Sequence, residues 1–105
     1  MRRTGHLNLA AFEAKASQAA AFLKGLSNER RLMILCRLAD REYSVGELAV
    51  AVGLSQSALS QHLSKLREGN LVVTRRKAQT IYYRLAKGPA KRLLQTLAAI
   101  FCPSE

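Results

Sequence analysis

Apolar and polar positions in the first two thirds of the chain recur at the three- and four-residue spacing that is typical of amphipathic α-helices. The first helix is predicted over residues 9–24, before the glycine that follows it. A second helix follows a cap at Ser27 or Asn28, and residues 40–43 are predicted as the loop that leaves it. Each helix is expected to bury one face.

Two cap signals place the next pair of helices. Ser44 and Glu47 have the spacing of a capping box, in which each side chain accepts from the other residue's backbone N–H. The helix that begins there is predicted to stop at Gly53, and Ser55 can cap a fourth helix that Gly69 ends. Two short helices joined through a glycine, which permits a sharp reversal, predict a helix-turn-helix.

The fourth helix divides into an apolar and a polar face. Leu59, Leu63 and Leu66 recur at helical spacing and are predicted to enter the core. The opposite face carries short polar side chains that can bond base edges in a DNA major groove, although an ordinary solvated face has similar residues. The predicted DNA contacts are Ser55, Gln56, Ser57, Ser60, Gln61 and Lys65. His62 lies between the faces and is interpreted as a half-buried structural residue, with DNA contact or ligand binding as the alternatives.

After the fourth helix the spacing of the sequence pattern changes from the helical period to a period of two residues, which is typical of β-strands. Residues 71–75 and 80–85 are rich in β-branched and aromatic side chains and predict a β-hairpin. The connection over residues 76–79 has neither glycine nor asparagine, so a tight two-residue turn of the primed type is not expected. A basic hairpin tip can follow DNA phosphates or enter the minor groove. The predicted contacts of this wing are Arg75, Arg76, Lys77 and Gln79.

A last helix is predicted from Pro89, which suits a first helical turn, to Phe101. It has more apolar positions than a solvated helix of a monomer would expose, so we expect a partner helix to cover part of it. Residues 1–7 are basic and unpatterned and are predicted to be a flexible arm. The pattern predicts one mainly α domain over residues 1–105, a winged helix-turn-helix of five helices with a β-hairpin wing, in the order α-α-α-α-β-β-α.

The charge balance points to a polyanionic partner. The chain has 17 Lys and Arg against 7 Asp and Glu, a formal net charge of +10. Nucleic acid is the first candidate, whereas solubility or a membrane-surface patch would explain the charge alone. No apolar run approaches the roughly 18 residues of a membrane span, and no signal-peptide core is found, so a cytoplasmic protein is expected.

Only two cysteines are present, Cys36 and Cys102, and they fit neither a secreted disulfide framework nor a CxxC motif. No Cys/His cluster offers a zinc site, so no metal or other cofactor is expected. A thiol redox enzyme is disfavoured because no resolving cysteine lies nearby in sequence, and we expect no enzymatic activity. The helical neighbours of Cys36 would not lower the pKa of its thiol.

Four blocks in order carry a family resemblance: residues 26–32 (LSNERRL), 44–48 (SVGEL), 54–63 (LSQSALSQHL) and 79–85 (QTIYYRL). Together they resemble the ArsR family of winged-helix repressors. The resemblance implies a homodimer formed by the first and last helices, binding an imperfect palindrome in double-stranded operator DNA. It agrees with the surplus of apolar positions in the last helix.

Many members of that family sense metals, some through paired cysteines in the third helix, where this chain has Ala49 and Ala51. Others use ligands on the last helix, which here has no His, Asp, Glu or Cys before Cys102, so metal sensing is not expected. The placement of Cys36 and Cys102 is similar to a sulfide- and redox-responsive branch. There, reactive sulfur species or an oxidant link the thiols by a disulfide or by added sulfur atoms, and the repressor leaves DNA.

Two alternatives to a thiol-switched repressor remain open. The chain could be a winged-helix repressor with an inducer that does not act on thiols, its cysteines being inert core residues. It could also be a non-specific basic protein that packages nucleic acid. The polar face of the fourth helix favours a sequence-specific repressor, since packaging requires phosphate contacts but no surface for base edges.

Overall fold

A computed structural model describes residues 8–103; the predicted arm over residues 1–7 lies outside them. Five helices and three strands follow one another in the predicted winged-helix order, with one short strand added. They are α1 (Leu9–Leu26), α2 (Glu29–Asp40), β1 (Tyr43–Ser44), α3 (Val45–Val52), α4 (Gln56–Glu68), β2 (Val72–Lys77), β3 (Thr80–Leu85) and α5 (Ala90–Phe101). The predicted fold class is confirmed, and α1 runs two residues beyond its predicted end.

The starts of α1 to α4 are each fixed by a side-chain cap, whereas α5 begins after Pro89 without one. Asn28, one of the two predicted candidates, caps α2 by accepting from the Arg31 backbone N–H. The capping box of α3 is complete, since the Ser44 hydroxyl accepts from Glu47 N–H at 3.2 Å and the Glu47 carboxylate accepts from Ser44 N–H at 2.9 Å. The caps predicted for α3 and α4 are therefore confirmed.

The three strands form an antiparallel sheet in the order β1-β3-β2. Strand β1 corrects the prediction of a loop through residue 43, because Tyr43 pairs with Tyr83 and its own side chain is buried. The hairpin also corrects the predicted turn: Lys77 pairs with Thr80, which leaves a two-residue loop. Ala78 adopts a φ of 56° there, a left-handed conformation that costs a non-glycine residue roughly 1–2 kcal/mol but is not forbidden.

One hydrophobic cluster joins the helices to the sheet. Leu59, Leu63 and Leu66 of α4 are at most 1% exposed, which confirms the predicted inward face. They pack with the buried residues of α2, with Leu48 of α3 and with Leu71 before the wing. This core anchors α4 with its polar side outward and sets the wing beside it. Within the described residues no helix is both long and apolar enough to cross a membrane.

Candidate nucleic-acid interface and thiol pair

The turn between α3 and α4 has the geometry of a helix-turn-helix. Gly53 caps α3 with φ 69° and ψ 37°, a left-handed conformation that glycine adopts without steric cost. The next residue, Leu54, donates its backbone N–H to the Ala49 carbonyl at 3.0 Å. Ser55 then caps α4 by accepting from Ala58 N–H at 3.1 Å. These bonds fix the direction in which α4 leaves α3.

The predicted recognition residues lie together on the outward face of α4. All six are exposed, together with Ser64 on the same side: Ser55, Gln56, Ser57, Ser60, Gln61 and Lys65. Because the leucines of the other face are fully buried, α4 cannot rotate to hide this surface. Its side chains are short enough to let the helix approach base edges closely.

His62 lies at the border of the two faces of α4 and is half-buried, as predicted. Its pKa is lowered from the ordinary value, chiefly by burial and further by the positive charges of Arg31 and Arg30 on α2. Burial and the neighbouring arginines therefore favour the neutral form of the imidazole.

The wing divides into a free tip and a constrained base. Arg76, Lys77 and Gln79 are exposed at the tip, and their contacts with DNA stay a prediction. Arg75 is exposed too, but its guanidinium donates to both oxygens of Glu42 and lies 4.7 Å from the Tyr82 ring centroid. Sequence reasoning did not find Glu42. No local pattern could indicate it, because its partner is 33 positions away.

The structure places the two cysteines at one surface between α2 and α5. Cys36 on α2 and Ala98 on α5 line the same recess, and Cys102 follows Ala98 by one helical turn. The Cys102 backbone N–H donates to the Ala98 carbonyl at 2.7 Å, which continues the helical bonding to the cysteine. Cys36 and the last turns of α5 therefore border one recess, while a disulfide between the two cysteines requires Cα atoms within roughly 7 Å.

Both thiols are free and exposed in the described chain, which argues against the interpretation as inert core residues. The side chain of Cys36 is nevertheless partly desolvated, and the pKa of its thiol is raised from the ordinary value, first by this partial burial and second by the charge of Cys102. The two sulfur groups are thus close enough for the charge on one to affect the other. The raised pKa favours the protonated thiol over the reactive thiolate.

The metal-binding stretch of the family resemblance is occupied by alanines here: Ala49 is buried and Ala51 half-buried on α3. Over residues 8–103, no three His, Cys, Asp or Glu side chains come together in a group that could hold a metal ion.

A basic wing beside a helix-turn-helix with an exposed polar second helix defines a winged-helix DNA-binding regulator. Residues 28–74 match the model of the bacterial regulatory proteins of the arsR family. The transcriptional activator HlyU of Vibrio cholerae is 48% identical over 94% of this chain and 92% of its own length. The chain belongs to the ArsR family of transcriptional regulators.

Two solved structures are similar to this fold. The transcriptional repressor BigR from Xylella fastidiosa has a TM-score of 0.86 at 42% identity, covering 93% of this chain and 100% of its own. A homodimeric winged helix-turn-helix DNA-binding domain from Mycobacterium bovis has a TM-score of 0.76 at 35% identity, and the match covers 93% of this chain and 89% of its own. Relatives thus include proteins named for activation and for repression.

Proposed function

We propose that the protein is a dimeric, operator-specific repressor that releases DNA when Cys36 and Cys102 become linked. The observation that supports this function is the recess between α2 and α5, which Cys36 and Ala98 line one helical turn before Cys102, both thiols being free and exposed. The function is binding and switching, without catalytic turnover. Reactive sulfur species or oxidants are the proposed inducers.

Dimer formation through α1 and α5 is supported by their uncovered apolar side chains. Leu9, Phe12 and Leu23 of α1 are more than half exposed, and so are Ile100 and Phe101 of α5. Burial of such side chains contributes about 1.5–3 kcal/mol each, so a second copy is the simplest cover for both helices. The homodimeric relative from Mycobacterium bovis agrees with this arrangement.

In the proposed complex each protomer inserts α4 into the major groove of double-stranded operator DNA. Gln56 and Gln61 would read base edges, since a glutamine amide bonds adenine in two places. The serines and Lys65 of α4 would bond nearby bases or phosphates, and Arg76, Lys77 and Gln79 would follow the backbone from the wing. Arg75 keeps unbonded guanidinium hydrogens while Glu42 holds it, so it can still donate to a phosphate.

The switch would act through the position of α5. A link between Cys36 and Cys102 would draw the end of α5 toward α2, and the same helix carries the uncovered Ile100 and Phe101. A two-fold dimer must place its recognition helices roughly 34 Å apart to enter successive major grooves. A small change at the α5 interface would therefore change that separation and weaken binding.

The test begins by selecting a binding sequence from a random duplex library and measuring its affinity for the reduced protein. Wild type, Cys36→Ser and Cys102→Ser should bind it equally, with a steep salt dependence. After treatment with persulfide or peroxide only the wild type should release it, and reductant should restore binding. Intact mass would identify the link as a disulfide or a sulfur-bridged form.

Release of DNA by either serine variant would show that the inducer does not act through the thiol pair. Equal affinity for selected and random duplexes at moderate salt would instead identify a non-specific nucleic-acid-binding protein. A monomer at micromolar concentration would contradict the dimeric mechanism.

A further inference from the structure

A groove of about 560 Å³ has no role in the proposed switch. It adjoins the recess that Cys36 and Ala98 line, which we call the thiol recess. It lies where the end of α2, the end of β3 and the start of α5 meet. Leu38 and Leu85 contribute apolar surface to it, while four basic side chains and one acidic side chain line its rim. An apolar groove with convergent charges is the usual form of a small-molecule site.

Two of the five charged groups at this rim are already paired. Glu42 is held by Arg75, and the Arg41 guanidinium lies 3.8 Å from the Tyr43 ring centroid and 3.7 Å from the Glu47 carboxylate. The three other cations at the rim are Arg84, Lys87 and Lys91, which are exposed and form no ion pair within residues 8–103. The groove therefore presents an uncompensated positive charge.

The groove and the thiol recess share two lining residues. Ala39 and Lys91 line both, and Cys36 lies in the recess beyond them. A small molecule whose charged end rests against Lys91 would thus extend toward the Cys36 thiol. The groove shares no residue with the polar face of α4 or with the wing tip, so a small molecule fits it better than a phosphate of the operator.

We propose that this groove docks the negatively charged end of the inducer, so that the preferred inducer is the persulfide of a thiol that carries a carboxylate. This inference rests on the proposed thiol switch and adds the chemical class of molecule that operates it. Clefts lined by one sign of charge raise the local concentration and the association rate of opposite charges by about 10-fold or more.

The reaction that follows docking is sulfur transfer. The Cys36 thiolate attacks the outer sulfur of the persulfide, whose S–S bond breaks, and the carboxylated thiol leaves as its thiolate and takes up a proton. Cys36 is then a persulfide. The Cys102 thiolate attacks the Cys36 sulfur, breaks the new S–S bond and releases hydrosulfide, which leaves a disulfide. The two electrons lost by the cysteines reduce the persulfide to a thiol and hydrosulfide.

The test compares three persulfides that differ in charge, those of mercaptopropionate, mercaptoethanol and cysteamine. The rate of sulfur transfer to Cys36 is measured by rapid quench and intact mass in the full-length Cys102→Ser protein, where the reaction stops at the first step. Each rate is divided by the rate with an unstructured cysteine peptide to remove intrinsic reactivity. We expect the normalised rate to be about 10-fold higher for the anion than for the neutral compound, and lowest for the cation.

Lys91→Gln should abolish most of this preference and Lys87→Gln part of it. Lys15→Gln is the matched control, since it removes the same charge from an exposed position of α1. Equal normalised rates for the three persulfides, or equal losses in Lys15→Gln and Lys91→Gln, would overturn the docking site and leave only an effect of net charge.

Operator release by the wild-type protein, measured in parallel, separates this inference from the proposed function. Charge preference without release of DNA would support the groove and contradict the switch. Release of DNA at rates that do not depend on charge would support the switch and contradict the groove. If none of the persulfides modifies Cys36, the groove is contradicted, and release of the operator by peroxide then decides whether the switch stands.

Discussion

Arg75 at the base of the wing and Glu42 after α2 form a two-pronged salt bridge, with Nε to Oε2 at 2.8 Å and Nη2 to Oε1 at 2.7 Å. The Arg75 guanidinium and the Arg84 charge hold the pKa of the Glu42 carboxyl below its usual value, so the pair persists at neutral pH. It joins the segment that follows the Cys36 helix to strand β2. The wing is thereby tied to the segment directly after α2, the helix that carries Cys36.

Removal of either partner should separate the two roles of Arg75. We expect Arg75→Gln to weaken operator binding roughly 10-fold, because it removes a charged phosphate donor as well as the salt bridge. Glu42→Gln should weaken binding less than about threefold, since an exposed pair contributes little and Arg75 remains. Titration of a labelled operator at fixed salt measures the affinity of each variant. Equal losses would mean that Arg75 only orients the wing and does not contact DNA.

The side chains of α4 should supply the sequence-specific part of operator binding, and those of the wing tip the part that does not depend on sequence. Gln56→Ala and Gln61→Ala should each cost about 1–3 kcal/mol of operator binding and relax the preference at particular base pairs. Arg76→Ala and Lys77→Ala should weaken all sequences alike and flatten the salt dependence, because phosphate contacts carry no sequence information. Binding to a library of single-base operator variants distinguishes them. A change of base preference in the wing variants alone would reverse the assignment.

The turn of the helix-turn-helix allows a test with a matched glycine. A Cβ at Gly53 would meet no atom within 4 Å, so Gly53→Ala isolates the cost of its positive φ, about 1–2 kcal/mol of unfolding free energy. Gly46 is equally open but helical, and Gly46→Ala should stabilise the protein by up to about 1 kcal/mol. Urea unfolding measures both. Equal effects of the two substitutions would contradict the role given to the Gly53 backbone.

Features encoded by neighbouring residues could be predicted from the sequence. The caps at Ser44 and Ser55 and the leucine face of α4 depend on residues a few positions apart, and each is found where its spacing predicts it. The outward position of the polar face follows from the same periodicity. Its contacts with DNA remain predictions.

Features that depend on distant pairing could not be predicted. Strand β1 exists because Tyr43 and Ser44 find partners in β3, about forty positions later, while two residues alone carry no strand pattern. Propensity at the hairpin tip disfavours a tight turn, but the register of the two strands imposes a positive φ on Ala78. The cationic groove likewise assembles from three elements that only the folded chain brings together.

The last prediction concerns the pH dependence of Cys36. Burial, and to a smaller extent the charge of Cys102, raises the pKa of the Cys36 thiol above the ordinary 9.0. The other groups that face it are Asp40 on its own helix and Lys91 on α5, whose charges oppose each other. Because a raised pKa keeps the thiol protonated, the reactive thiolate should increase with pH up to and beyond 9.0.

Alkylation of Cys36 by iodoacetamide, followed by peptide mass analysis across this range, measures the midpoint in the folded protein. Cys102→Ser should move that midpoint down but not fully to the ordinary value, because burial is the larger cause and remains. Unfolding in denaturant supplies the control, since it removes both causes and should restore the ordinary midpoint. A midpoint below 9.0 in the folded wild type would show that a cation activates Cys36, and Lys91→Gln would then identify whether that cation is Lys91.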